Sequence, residues 1–382
     1  MARLSLTAVS VGLAVAMLGA LPSDALAKKK DGKGKNKEAR TSVIPAPQAN
    51  GLVQVWGTVF DQDMDPITDP AGYGDPEDDT GFKIRRARIG MAGDDNGIRY
   101  DVTMGYSSGF DVVAPPPSSS IQLITAEGGY RLTKGLWLTG GVQKVPVGRG
   151  FLMSAGSLAL GERSVATNWS VPGRDVGLTL DGNFGSKTEG GLKGRMRAGV
   201  FNGNGQLSGD DNPGKLVAIR AEGAYGPGNA YETWGEVKSF SIGFAGDFWT
   251  DRSLSTETLG YGGDIIIRVA GLAALFETNL HTIKPVNSDL VGPGVFAETP
   301  RLGMTGQLGY SVWMLEPVVR YSRFDDHQDF EDNGDVTNIE GGVTWHGAKD
   351  AVRAGALFVH RIEGGGATID NDTARLWMQL QF

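Results

Sequence analysis

The chain has 382 residues, no cysteine, 58 glycines and a formal net charge of −8, with 40% hydrophobic and 21% charged residues. The lack of cysteine excludes disulfide staples and thiol catalysis. Beyond the N-terminus no segment approaches the roughly 20 apolar residues of a spanning helix, which excludes an α-helical membrane protein. It does not exclude a β-barrel, in which half of each strand faces a wet lumen and hides the hydropathy signal.

Residues 1–27 read as a secretory signal peptide: Arg3 gives a positive start, Leu4 to Leu21 an apolar stretch, and Ala25-Leu26-Ala27 a small-x-small cleavage site. An uncleaved anchor is the alternative, weakened by the charged segment that follows at once. Residues 28–50 form a Lys-rich leader whose first thirteen residues hold seven basic and two acidic side chains, leaving about −13 for the rest. Such a segment lacks apolar content and is expected to be disordered. It suits attachment to peptidoglycan or anionic headgroups, or more plainly a solvated linker through Pro45 and Pro47. A chain bound for the envelope is not expected to bind nucleic acid.

From residue 51 to 382 alternating segments of about ten residues are separated by Gly, Asp, Asn and Pro clusters, which predicts an all-β, transmembrane antiparallel barrel. Candidate strands fall near 52–60, 82–92, 97–105, 121–131, 135–144, 173–182, 193–201, 215–225, 233–249, 259–269, 271–281, 300–310, 312–323, 336–346, 351–361 and 373–382. That makes about sixteen; the long 233–249 segment leaves fourteen or eighteen open. Short turns (94–97, 133–135, 348–350), the first two bearing Gly, alternate with long polar loops (61–80, 106–120, 282–299, 324–335), as the two rims of an outer-membrane barrel require.

Within strands the two faces separate cleanly. Ile98, Tyr100, Val102 and Met104 oppose Arg99, Asp101 and Thr103; Met196, Ala198 and Val200 oppose Arg195 and Arg197; Val217, Ile219, Ala221 and Tyr225 oppose Arg220 and Glu222. A charge on a barrel's lipid face costs about 2–4 kcal/mol at the midplane, so the charged sets should face the lumen. Arg86, Arg88, Arg99, Arg195, Arg197, Arg220, Arg268, Arg301, Arg320, Arg353 and Arg375 are the inward bases. Asp101, Glu127, Asp181, Glu222, Glu277, Glu316 and Glu340 are the inward acids. Most of these arginines are expected to brace the wall by pairing with acids on neighbouring strands. The basic excess also suits phosphate or carboxylate solutes, which a guanidinium fork binds in bidentate fashion. Tyr100, Tyr225, Tyr310, Trp313, Tyr321 and Trp345 are candidates for the aromatic girdles. In the last strand Ala374, Leu376, Met378, Leu380 and Phe382 share one face, and Arg375, Trp377, Gln379 and Gln381 the other. The final Phe382 resembles the signal read by the bacterial barrel-assembly machinery.

Two blocks resemble a known family. Gly81-Phe82-Lys83-Ile84-Arg85-Arg86-Ala87-Arg88-Ile89-Gly90 with Arg99-Tyr100-Asp101 is similar to the opening hairpin of the phosphate-selective porins O and P. Gln143-Lys144-Val145-Pro146, then Glu162-Arg163-Ser164, then Pro172-Gly173-Arg174-Asp175 is similar to that family's strand, inward-folded loop and following strand. The resemblance covers roughly 81–182 and implies a trimeric, sixteen-stranded porin of the Gram-negative outer membrane. Loop 145–172 would fold into the pore, with Arg163, Arg174 and Asp175 shaping or anchoring the constriction. Small ions and solutes, outer-membrane lipid and lipopolysaccharide, and a second and third copy of the chain are the implied partners. No cofactor or catalytic residue is expected.

The rival readings are a non-conducting structural barrel and a barrel enzyme. Sixteen strands leave a water-filled interior, which makes the first awkward. The second needs a nucleophile and a base, yet Gly105-Tyr106-Ser107-Ser108-Gly109 lacks the Gly-x-Ser-x-Gly spacing, and His281, His327, His346 and His360 mark no catalytic motif. Residues 61–79 carry eight carboxylates, suited to divalent cations that bridge lipopolysaccharide. Asp329 to Glu340 nearly fits a calcium loop, but Glu331 departs from the usual third ligand and strands flank it instead of helices. No metal site is assigned.

Overall fold

A computed structural model describes residues 44–382 apart from 62–79, 108–120, 187, 189, 207–208, 211, 228–232, 288, 290, 292–295, 332–333 and 366–370. The signal peptide, the basic leader through residue 43, the acidic segment 62–79 and part of the calcium-like loop lie outside the described residues.

Sixteen strands form the wall: β1 (Gln48–Asp61), β2 (Gly81–Asp95), β3 (Ile98–Ser107), β4 (Gln122–Thr133), β5 (Leu136–Lys144), β6 (Arg174–Gly185), β7 (Leu192–Phe201), β8 (Leu216–Tyr225), β9 (Ser241–Arg252), β10 (Thr256–Val269), β11 (Leu272–Pro285), β12 (Thr299–Tyr310), β13 (Leu315–Asp325), β14 (Val336–Gly347), β15 (Val352–Glu363) and β16 (Thr373–Gln381). Each pairs antiparallel with its sequence neighbours, and β16 returns to β1 to close the barrel. The seam is well specified. Trp56 opposes Trp377 and Gln54 opposes Gln379, while Phe382 and Gly51 exchange backbone bonds of 3.1 and 2.8 Å.

The polarity is that of a globular protein turned inside out. Ile89, Met91, Phe244, Ile265, Ile267, Phe276, Val319, Phe358, Leu376 and Met378 stand exposed on the outer face. Arg86, Arg220, Glu222, Asp247, Asp264, Glu277 and Arg320 are buried inside. Only a hydrocarbon surround makes such an outer face favourable, and closure leaves no strand edge unpaired within it. Tyr225, Tyr310, Trp313 and Trp345 are exposed at or near the rim of short turns, where an aromatic girdle belongs. Two of those turns use a paired left-handed conformation, Asn96-Gly97 (φ 51° and 79°) and Ala270-Gly271 (φ 49° and 87°), which matches the right-handed twist of the flanking strands.

The connections alternate between rims as the sequence implies, with two exceptions. On the long-loop rim β9 and β10 are joined by residues 253–255 alone. On the short-turn rim β8 and β9 are joined by 226–240, so the expected strand at 233–249 is corrected to Ser241–Arg252. Trp234, Glu236, Lys238 and Phe240 would share one face and mix aromatic with charged side chains, and Gly226 and Gly235 take φ of 97° and 107°, so this stretch stays out of the ladder. Trp234 is thereby carried into the lumen, 8% exposed.

Candidate pore

Residues 145–173, between β5 and β6, turn inward from the long-loop rim. They carry two short helical segments, α1 (Arg149–Leu152) and α2 (Val165–Trp169), with Ser164 capping α2 by accepting from Thr167 N. The loop is unusually apolar for a connection: Val145, Val147, Phe151, Leu152, Met153, Leu158, Ala159, Leu160 and Val165 are all buried. It packs in three patches. Val147, Phe151 and Val171 meet Phe201, Leu216, Ala218 and Trp249; Met153, Leu158 and Leu160 meet Ile266, Leu275, Val318, Leu357 and Trp234; Val165 meets Phe324 and Val336.

The loop's backbone is held by the wall, because a buried carbonyl or amide needs a partner. Arg86 donates to Gly161 O at 3.0 Å and Gln54 Nε2 to the same oxygen at 2.9 Å. Arg320 donates to Glu162 O at 2.8 Å, and Arg353 and Gln379 to Gly156 O at 2.8 and 2.7 Å. Thr344 Oγ1 donates to Ala159 O. Carboxylates do the reverse, with Asp247 accepting from Gly148 N at 3.1 Å and Glu277 from Gly150 N at 2.7 Å. Glu162 lies 2.7 and 2.6 Å from Arg85 and Arg86. A buried ionic network continues behind the loop. Arg220 sits 2.5, 2.6 and 2.6 Å from Glu222, Asp247 and Asp264, and Asp264 also takes Arg149 at 2.6 Å.

The loop therefore fills the lumen against one arc of wall and leaves a cavity of about 560 Å3 against β2–β7, reaching the seam at Asn50–Leu52 and Gln381–Phe382. Arg88, Arg99, Lys144, Arg163, Arg174, Arg195 and Arg197 line it, against the carboxylates Asp101, Glu127 and Asp181. Seven cationic groups face three anionic ones. Arg174 donates to Thr125 Oγ1 at 2.8 Å; Arg195 reaches Asp181 at 2.8 Å; Arg99 donates to Thr139 at 2.7 Å with its guanidinium 4.7 Å above the Trp137 ring. Arg197 is tied at 2.6 Å to Glu222 and so joins the ionic network.

Six residues singled out from the sequence come together at this cavity: Arg88, Arg99, Arg163, Arg174, Arg195 and Arg197. Arg163 also staples the loop to itself, donating to Gly150 O at 3.2 Å and Met153 O at 3.0 Å. Three do not line it. Arg86 and Arg220 are fully buried as struts between wall and loop, and Asp175 accepts from Val176 N and Gly203 N, both at 2.6 Å, which fastens the start of the β7–β8 connection. Two residues were not singled out. Lys144, inside the quoted Gln-Lys-Val-Pro block, donates to Leu152 O and Met153 O at 2.7 and 3.0 Å. Trp234 props the loop from the other rim, its Nε1 donating to Glu316 at 2.9 Å. Periodicity gives no sign of it, since it sits in what reads as a strand. Among the described residues no cluster of His, Asp or Glu has the arrangement of a metal site.

A closed sixteen-stranded barrel with an apolar outside, a polar inside and a loop that narrows a wet passage defines an outer-membrane porin. Solved structures share the fold. OmpT of Vibrio cholerae with loop L8 deleted matches at 11% identity and TM-score 0.55, over 89% of this chain and 100% of its own. An anion-selective porin from Comamonas acidovorans matches at 10% and 0.55, over 88% and 99%. The outer membrane channel DcaP of Acinetobacter baumannii matches at 12% and 0.51, over 90% and 99%. No curated protein sequence matches the chain. The family model for phosphate-selective porin O and P matches residues 59–254, just over half of the chain, and the chain belongs to that family. It is a porin of the Gram-negative outer membrane.

Proposed function

We propose that the protein conducts small hydrophilic solutes by passive diffusion with a preference for anions, and that it performs no chemistry on them. The observation that carries this reading is the seven-to-three excess of cationic over anionic side chains along the cavity. Field lines concentrate in a narrow polar passage with low-dielectric walls, so this local balance governs permeation even though the whole chain is acidic. Arg163 stands on the loop side of this passage, and Arg88, Arg99, Lys144, Arg174, Arg195 and Arg197 on the β2–β7 wall, with Lys144 and Arg174 opposed where the loop leaves and rejoins it. Export by the N-terminal signal, insertion by the barrel-assembly machinery, contact with lipopolysaccharide and assembly as a homotrimer complete the reading; the signal-like pattern of residues 1–27, the alternation along β16 and the family support it. In a planar bilayer under a KCl gradient the expected reversal potential is that of an anion-selective pore, and Arg88→Ala with Arg174→Ala should move it toward zero. A cation-selective reversal potential in the unmodified protein would refute the anion preference.

A further inference from the structure

The lumen handles its carboxylates in two ways. Asp181, Glu222, Asp247, Asp264 and Glu340 each accept from an arginine at hydrogen-bond distance, as does Glu162 on the loop. Glu277 and Glu316 are held by other donors, Gly150 N and Trp234 Nε1, whereas Asp101 and Glu127 have, among the described residues, neither an arginine at that distance nor a donor from the loop. Among the described residues no ion pair reaches either of them; Thr103 Oγ1 donates to Asp101 at 2.8 Å. They are directly opposite one another on β3 and β4, both on the cavity. Like charges at directly opposed cross-strand positions repel, so the two make no stabilising contact with each other. The next rungs along the same row are Gly141 and Gly177, which have no side chain to cover the pair. Gly141 has φ of 124°, and a Cβ there would run into the carbonyl of Ala126, so the gap beside Glu127 is fixed by the backbone.

Cations lie on both sides of the pair along the pore axis. One rung toward the long-loop rim is Thr125, the partner of Arg174. One rung toward the short-turn rim Gly129 opposes Arg99. The passage thus reads positive, negative, positive, at intervals of about 6.8 Å for two residues of strand. A lone anion gains at the first and third stations and is repelled at the second. A molecule with an anionic and a cationic end spans one interval with a hydrogen bond at each end.

We propose that this pore favours small amphoteric solutes, with Asp101 and Glu127 receiving the cationic group while Arg174 or Arg99 holds the anionic one. The inference rests on the porin reading and narrows the solute class. Taurine and isethionate suit the test, being the same size and differing in an ammonium against a hydroxyl group. Tracer exchange across proteoliposomes, with equal solute on both sides, avoids net charge movement. The unmodified protein should exchange taurine about fivefold faster than isethionate, what one unit-charge contact at roughly 4 Å is worth in water. Asp101→Asn with Glu127→Gln should abolish the difference, and Glu127→Gln alone should reduce it. Faster exchange of isethionate by the unmodified protein overturns the proposal, and so does an unchanged ratio in the double variant. A heat-modifiable band on a gel reports that the variants are folded. If the unmodified pore is cation-selective in KCl but the double variant still loses its taurine advantage, the anion preference falls and the amphoteric preference stands.

Discussion

Two arcs of one wall treat the same chemistry differently. From β8 round through β16 to β1 and the adjoining half of β2, arginines and carboxylates are buried in contact with the loop: Arg220, Arg320, Arg353 and, on β2, Arg86 spend their donors on loop carbonyls and on acids behind it. From β2 to β7, Arg88, Arg99, Arg174 and Arg195 line open space. Residue type does not distinguish the arcs, since both are arginine-rich strands of a period-two pattern. What differs is where the apolar stretch Phe151 to Leu160 comes to rest. Its packing against Ile266, Leu275, Val318 and Leu357 assigns one arc to bracing and, by default, the other to the passage.

This division can be broken most severely at Arg220. Arg220→Ala leaves Glu222, Asp247 and Asp264 buried without their shared cation, a change of about 3–5 kcal/mol or more. The expected outcome is loss of the heat-modifiable folded band, or its conversion at much lower temperature. Trp234→Ala should cost about 3 kcal/mol, because it removes a buried aromatic from beneath the loop. Its diagnostic effect is on current: with one support gone the loop should fluctuate, giving higher and noisier single-channel conductance in a barrel that still folds. Unaltered conductance would show that the other contacts hold the loop alone. The smallest effect belongs to the rim. Lys284 and Glu298 are paired at 2.5 Å but both half exposed, so Lys284→Ala should change the unfolding temperature and the conductance negligibly, within about 0.5 kcal/mol.

Much of the barrel was legible because a strand between lipid and water has to alternate. Fifteen of the sixteen expected strands fall within a few residues of their observed bounds, and β16 shows why: every outward position is apolar and each inward one can hydrogen-bond or stack. The exception, 233–249, joined a clean strand to a first half that mixes charged and aromatic residues on one face and carries Gly235 at a φ of 107°. The facing of the arginines was legible for the same reason as the strands. Their division into struts and lining was not, because it depends on a loop whose inward course came only from a family resemblance. Arg86 and Arg88, two residues apart in one strand, end in opposite roles: the first is sealed beneath Gly161 and Glu162, the second faces the cavity.

The ties between loop and seam bear on the order in which this molecule can be built. Gly161 is bonded by Gln54 of β1, and Gly156 by Gln379 of β16, 107 and 223 residues away along the chain. Contacts this distant in sequence form late, because the loop-closing entropy must be met before they contribute. Seam closure and loop docking share these bonds, so each is expected to favour the other, and a barrel zipped shut with the loop still outside would lack the ties from Gln54 and Gln379.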